Sequence, residues 1–407
     1  MKVEAEMPRI RLDALTGLRG VAAYAVLVAH AVDSTFNAGG ISVFHDFASR
    51  LAYFGIALFF VLSGFVMQYN YGPLFRANKL GAATRQFVRA RFARLYPLYA
   101  ISVICYIMAV SLPTSWEDIL LFLAYATMTQ SWFNMEMAVF PPAWSISTEA
   151  FFYLTFIPLT LLLRRLPAPA WALMVFCVAA TIGTSTLFFF FKAPLVAFIE
   201  QLSWLNGKGS ANAWAWVVYF APYIRVLEFI CGMLAAQTYL WLQTSPRTPV
   251  LARVASAGGL LWCGFVVFFG QLLEGNPVGS ILSNFIFASA LAPILIDCAR
   301  QESTLSRLLS SRLLVFVGEI SLSVYVFSFY VIMIFAGRLA PGAAFGGVDV
   351  NSVVKVGMIV ALTTVFAYGS YSLIEVPSRA WLLRVLGRPD VPRPIPQGAR
   401  SLQVDSI

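Results

Sequence analysis

Two ionisable residues, Arg19 and His30, stand eleven positions apart in the stretch LDALTGLRGVAAYAVLVAH, residues 12–30. His30 is one of two histidines in 407 residues, the other being His45 in a polar loop. An ionisable group within hydrocarbon costs several kcal/mol unless it is paired or lines a cavity, so its default reading is functional. An imidazole exchanges a proton near neutral pH, and Asp33, one helical turn beyond, is spaced to accept from its ring and fix the tautomer. The competing reading is a polar staple, with His30 hydrogen-bonded across a helix bundle.

Three further groups carry chemistry. In RQFVRARFARLYPLYA, residues 85–100, Arg91 and Arg94 share a helical face, with Arg85 and Arg89 adding charge. Arginine suits multidentate phosphate contacts, although anchoring at a membrane surface accounts for one or two arginines equally well. In PPAWSISTEAFFYL, residues 141–154, Glu149 sits near the start of an apolar run beside Ser145, Ser147 and Thr148. A carboxylate at that depth needs a partner, and an imidazole or Arg225 would serve. Arg225 and Glu228, in IRVLEFICGM, are i, i+3 neighbours able to pair within one helix, a structural reading more than a catalytic one. The small residues Gly55, Ser63 and Gly64 in GIALFFVLSGFVM are explained by close helix approach alone.

The elements that must position these groups are membrane helices. The chain is 59% hydrophobic and 12% charged, with a mean hydropathy of +0.77. A soluble protein would carry about twice that charged fraction, so the fold class is an all-α polytopic bundle. A span needs roughly 20 apolar residues, and ten are read: 15–36, 51–71, 95–112, 145–163, 170–191, 216–240, 254–273, 279–297, 313–336 and 353–374. With the N-terminus inside, 22 of the 28 Lys and Arg residues fall in cytoplasmic segments and five in outer ones, with Arg225 left within a span. That bias puts both termini in the cytoplasm and requires an even number of spans. The net charge of +9 is thereby spent at a membrane surface, and a nucleic-acid partner is not expected. Residues 118–133 are apolar enough to mimic a span, but counting them would reverse the bias of every later loop. They are read as a re-entrant or interfacial helix on the outer side, a piece that often borders a cavity.

The five cysteines all lie within apolar runs, with no metal-site or disulfide spacing. The polar first thirteen residues carry no cleavable signal, so the first apolar segment is expected to be retained as a span. One transmembrane domain is expected over 1–388, followed by a disordered Pro-rich tail over 389–407. Along a helix, eleven residues rise about 16 Å, roughly half the hydrocarbon thickness. Arg19 is therefore expected at the cytoplasmic mouth and His30 deeper, toward the outer half.

Taken in order, these pieces resemble the acyltransferase-3 family of integral-membrane O-acyltransferases, which includes bacterial polysaccharide and glycolipid O-acetyltransferases. The Arg-x10-His signature falls on Arg19 and His30, and FFVLSGF on residues 59–65. R-x-x-R-x-x-P falls on Arg91, Arg94 and Pro97, and the WSLSxE motif reads WSISTE, Trp144–Glu149. A family-like E-x-P-x-R occurs at Glu375–Arg379. One departure stands out: where many members carry a histidine in SYSLYLWHWP, the corresponding SLSVYVFSFY has Ser328.

The resemblance implies an enzyme of the bacterial cytoplasmic membrane, without a tightly bound cofactor or metal. It would move an acyl group, most commonly acetyl, from cytoplasmic acyl-CoA to a hydroxyl of a carbohydrate, glycolipid or glycoside. On that reading Arg91 and Arg94 hold the coenzyme A phosphates, and Arg19 holds the donor or polarises the thioester. His30 is general base or transient acyl carrier, oriented by Asp33 or Glu149. Trp144, Arg225 and Glu228 are the residues expected to meet the substrate. A different reading of the same residues is a proton-coupled transporter with His30 and Glu149 as relay. No repeated halves and no matched pair of broken helices favour it.

Overall fold

A computed structural model describes residues 12–36, 42–77, 80–110, 116–133, 140–166, 168–202, 213–243, 249–273, 285–336 and 350–386. The helices in chain order are α1 (Asp13–Phe36), α2 (Ser42–Tyr71), α3 (Leu74–Ala77), α4 (Leu80–Val110), α5 (Trp116–Ala126), α6 (Ala143–Leu163), α7 (Pro169–Leu202) and α8 (Ala213–Ala215). They continue as α9 (Pro222–Leu242), α10 (Pro249–Phe269), α11 (Ala288–Arg300), α12 (Thr304–Leu309), α13 (Arg312–Glu319), α14 (Ser321–Ala336), α15 (Val350–Ser370) and α16 (Val376–Val385). No strand occurs among the described residues. The all-α bundle expected from composition is what the chain forms, because within hydrocarbon a helix satisfies every backbone group internally.

Seven helices among the described residues are long and apolar enough to cross a membrane, or eight if α13 and α14, bent by 65° at their junction, make one span. These eight coincide with eight of the ten expected segments. The other two, 95–112 and 279–297, fall on α4 and α11. In α4 the four arginines of the first half share the helix with the apolar stretch after Pro97, leaving that stretch short of a crossing length. Residues 279–284 of the expected span 279–297 lie outside the described residues, as does the Pro-rich tail 389–407. Segment 118–133 is not a crossing helix. It forms the short α5, a turn through Met128 at φ +56°, and a 3-10 turn over Gln130–Phe133. Gln130 Nε2 donates to Ala143 O at 3.0 Å and Trp132 Nε1 to Ser147 O at 3.1 Å, which dock this piece on the first turns of α6.

α1 is surrounded, packing against α2, α13, α14 and α15. Between α1 and α2 the contacts run from Asp33 and His45 to Val26 and Gly55, so the two helices are antiparallel. α2 in turn packs along α9 with glycines at the crossing. A Cβ on Gly64 would collide with Phe229 O, and one on Gly232 with Val61 O. Backbones this close require small residues, which is how apolar helices gain contact without a hydrophobic driving force between them. The small residues of the FFVLSGF stretch thus do the packing expected of them. Next to that crossing α2 also meets α6, where Phe152 packs on Phe60 at 5.0 Å and on Phe229 of α9 at 4.7 Å.

Candidate active site

The first residue fixed by this packing is Arg19. At the α13–α14 bend the helix breaks at Ile320, leaving the Gly318 carbonyl at the end of α13. Arg19 Nε donates to Gly318 O and to Ser321 Oγ, both at 2.9 Å, and Nη2 donates to Gly318 O at 2.5 Å. A Cβ on Gly318 would strike Thr16 O, so only a glycine there lets α1 approach closely enough for this clasp.

Beside it lies a cavity of about 340 Å³, walled by α1, α2, α4, α6 and α14. Arg19, Arg91, Arg94 and Glu149 all line it, along with Ser63, Asn70, Ser145, Ser321 and Tyr325. Arg91 is buried, its guanidinium 4.7 Å above the Tyr71 ring, and its Nε has no hydrogen-bond partner among the described residues. Glu149 Oε1 accepts from Tyr153 OH at 2.9 Å and from Ser63 Oγ at 3.3 Å. The predicted partners of Glu149, an imidazole or Arg225, are replaced by these two hydroxyls. Three cations thus face one space with one carboxylate, an arrangement suited to an anionic ligand.

His30 is not on that cavity. Its ring is exposed on the α1 half beyond Arg19, and among the described residues nothing hydrogen-bonds it. Asp33 does not hold it either: the Asp33 carboxylate instead meets His45 Nδ1 on α2 at 2.6 Å. The i, i+3 spacing permits an Asp33–His30 bond, but α2 delivers a second imidazole to the same carboxylate. His45 therefore belongs to α2 rather than to a loop.

Trp144, Arg225 and Glu228 form a layer behind the cavity wall. Trp144 packs on cavity-lining Phe60 at 6.0 Å and on Tyr219 at 4.9 Å, and the Arg225 guanidinium lies 4.6 Å over the Tyr219 ring. Arg225 Nη1 pairs with Glu228 Oε1 at 2.9 Å, both side chains buried. The chain breaks at Ala221 before Pro222, and Arg225 Nε donates at 2.8 Å to the Tyr219 carbonyl there. That is the structural pairing the spacing predicted, with the added task of closing a helix break.

The order of motifs and the bundle now meet the comparisons with known proteins. An acyltransferase-domain model, that of the acyltransferase-3 family, matches residues 12–372. This chain belongs to the acyltransferase-3 family. It is 28% identical over 399 residues to acyltransferase MdmB of Streptomyces mycarofaciens, covering 94% of each chain. It is 32% identical over 166 residues to protein 2 in the picA locus of Rhizobium radiobacter, covering 36% of this chain and 80% of that one. A putative O-acetyltransferase of Staphylococcus aureus is 24% identical over 408 residues, 90% of this chain and 57% of that one. No solved structure matches.

Membership of the acyltransferase-3 family makes the chain a membrane-bound acyltransferase, and two residues left unassigned by the sequence reading come into focus. Glu375 Oε2 accepts from Ser323 Oγ at 2.8 Å, and the Glu375 and Arg379 charges act on both Arg19 and Arg94. They sit at the start of α16, which packs on α4. The E-x-P-x-R motif was legible, but nothing in the spacing says that a segment nearly 300 residues from Arg91 returns to it. The spacing gives no sign of Tyr325 either, three residues before Ser328 in the same segment. Tyr325 lines the cavity, accepts from Ser145 Oγ at 2.7 Å and donates to Pro142 O at 3.1 Å.

Proposed function

We propose that this chain is an O-acyltransferase of a bacterial cytoplasmic membrane. Its donor is a cytoplasmic acyl-CoA, most commonly acetyl-CoA for such enzymes, and its acceptor a hydroxyl of a carbohydrate, glycolipid or glycoside. The observation that supports it is the cavity on which Arg19, Arg91, Arg94 and Glu149 converge. Arg91 and Arg94 hold the phosphates of the donor, with planar guanidinium groups matched to phosphate oxygens. The pantetheine arm follows the cavity along α2, past Ser63 and Glu149, toward the His30 half of α1, and Arg19 helps to hold the donor.

His30 takes the proton of the acceptor hydroxyl as its oxygen attacks the thioester carbonyl. The C–O bond forms, the C–S bond breaks, and the imidazolium returns the proton to the departing thiolate. In the acyl-carrier variant the ring nitrogen attacks first and the acceptor hydroxyl then displaces it. General-base help is typically worth 10²–10⁴-fold. His30→Ala, purified and folded, is therefore expected to lose at least about a hundredfold in transfer. Near-normal transfer by that variant would remove His30 from the mechanism.

A further inference from the structure

The cavity and His30 share α1, yet the cavity does not reach the imidazole. On α2 the cavity reaches from Asn70 to Ile56, a run of about 21 Å at helical rise. Gly55 is flanked by Ala22 and Val26 of α1, so the cavity ends one to two turns short of His30, about 6–12 Å along the axis. At that end Tyr325 of α14 crosses toward α6. Its hydroxyl is clasped by Ser145 Oγ at 2.7 Å and Pro142 O at 3.1 Å, and Phe59 packs edge-on to its ring at 6.1 Å. Phe59 also packs against all three large apolar clusters of the bundle, which backs its ring behind Tyr325. One turn past Tyr325, the Ser328 hydroxyl is turned back to the Tyr325 carbonyl at 2.8 Å. It leaves the barrier to the two rings.

We propose that Tyr325, clasped by Ser145 and Pro142 and backed by Phe59, is the barrier between the donor cavity and the His30 side, and that it determines whether a bound acyl thioester reaches an acceptor or water. This rests on the reading of the cavity as the donor site. Closed, the barrier keeps the thioester carbonyl away from the exposed imidazole, which would otherwise activate water as readily as a hydroxyl. Opening requires only that the tyrosine release two hydrogen bonds and swing from Phe59, a lid-scale motion within one side chain. The reaction suppressed is hydrolysis: water oxygen bonds to the acyl carbon, the C–S bond breaks, and the proton held by His30 goes to the thiolate.

Two measurements test it, and their failures are distinguishable. In the first, Ser63 on the cavity wall is changed to Cys. Right-side-out vesicles are treated with a membrane-impermeant maleimide from the face carrying His45, and labelling at position 63 is read by mass spectrometry. Labelling is expected to be slow with Tyr325 present and at least about tenfold faster with Tyr325→Ala, the factor for roughly one lost hydrogen bond of closure. Tyr325→Phe, which keeps the ring and loses the clasp, is expected to fall between. Equal labelling in all three overturns the barrier whatever the donor is. In the second, acetyl-CoA is given to the purified full chain without acceptor, and binding and thiol release are followed. Tyr325→Ala is expected to hydrolyse at least tenfold faster than the natural chain, and Tyr325→Ala with His30→Ala to return to the slow rate. Unchanged hydrolysis by protein that binds acetyl-CoA overturns the proposal. Absence of acetyl-CoA binding in every variant overturns the donor reading, while the labelling result still decides the barrier.

Discussion

Arg91→Ala separates a ligand-binding arginine from a structural one by the sign of two effects. In the folded chain Arg91 is buried over the Tyr71 ring, and its Nε lacks a partner among the described residues. A desolvated cation–π contact is worth up to about 2 kcal/mol, whereas a buried donor left unsatisfied costs about 1–3 kcal/mol. The two terms oppose each other, so removing the side chain lowers the stability of the unliganded protein by no more than about 1 kcal/mol. Binding is a different matter. A hydrogen bond to a charged group contributes about 1.5–3 kcal/mol, so loss of one arginine–phosphate contact weakens coenzyme A binding about 10- to 150-fold. The assay is a pair: thermal unfolding in detergent without ligand, and calorimetric titration with coenzyme A. Arg91→Lys keeps the charge without the planar fork and is expected to recover only part of the affinity. A variant that loses 3 kcal/mol or more of stability yet binds coenzyme A normally would refute the reasoning and return Arg91 to an anchoring role.

Three other outcomes follow from the packing. Gly232→Ala places a methyl against the Val61 carbonyl, so the α2–α9 crossing must open; thermal stability is expected to fall by about 1–3 kcal/mol or more, as for other overpacked cores. Arg225→Ala strands the buried Glu228 carboxylate and is expected to lose about 3–5 kcal/mol, while Arg225→Leu with Glu228→Leu loses clearly less; equal losses would show that the ion pair itself was stabilising. His45→Ala removes the outer partner of Asp33, but the pair is 49% and 36% exposed, so stability measured by thermal unfolding is expected to change by less than about 1 kcal/mol.

The membrane class, the helical fold and the family were legible in the chain because each depends on local quantities. Apolar run length identifies most spans, and five short motifs in order carry the family. Segment 118–133, which loop charge argued against as a span, forms an 11-residue helix and a 3-10 turn. Other expectations failed where distant elements compete. Asp33 was assigned to His30 by its spacing on α1, yet α2 supplies His45 at 2.6 Å. Glu149 was matched to an imidazole or Arg225, but α2 and its own helix offer Ser63 and Tyr153 first. The arginine-rich segment, open from its sequence to either a phosphate site or membrane anchoring, forms the first half of α4, and Arg91 and Arg94 line the cavity.

By itself, then, the sequence determined that the chain is a helical membrane protein of the acyltransferase-3 type, and that Arg19 and His30 share one helix about 16 Å apart. Those are consequences of hydropathy and of a fixed rise per residue. Only the tertiary structure decided which groups share a space. Arg19, Arg91, Arg94 and Glu149 meet because glycine contacts let α1 close on α13 and α2 on α9. Tyr325, on α14 just past the α13–α14 bend, meets Ser145 of α6. Helix crossings are set by side-chain size at contacts hundreds of residues apart, and no local pattern carries that information.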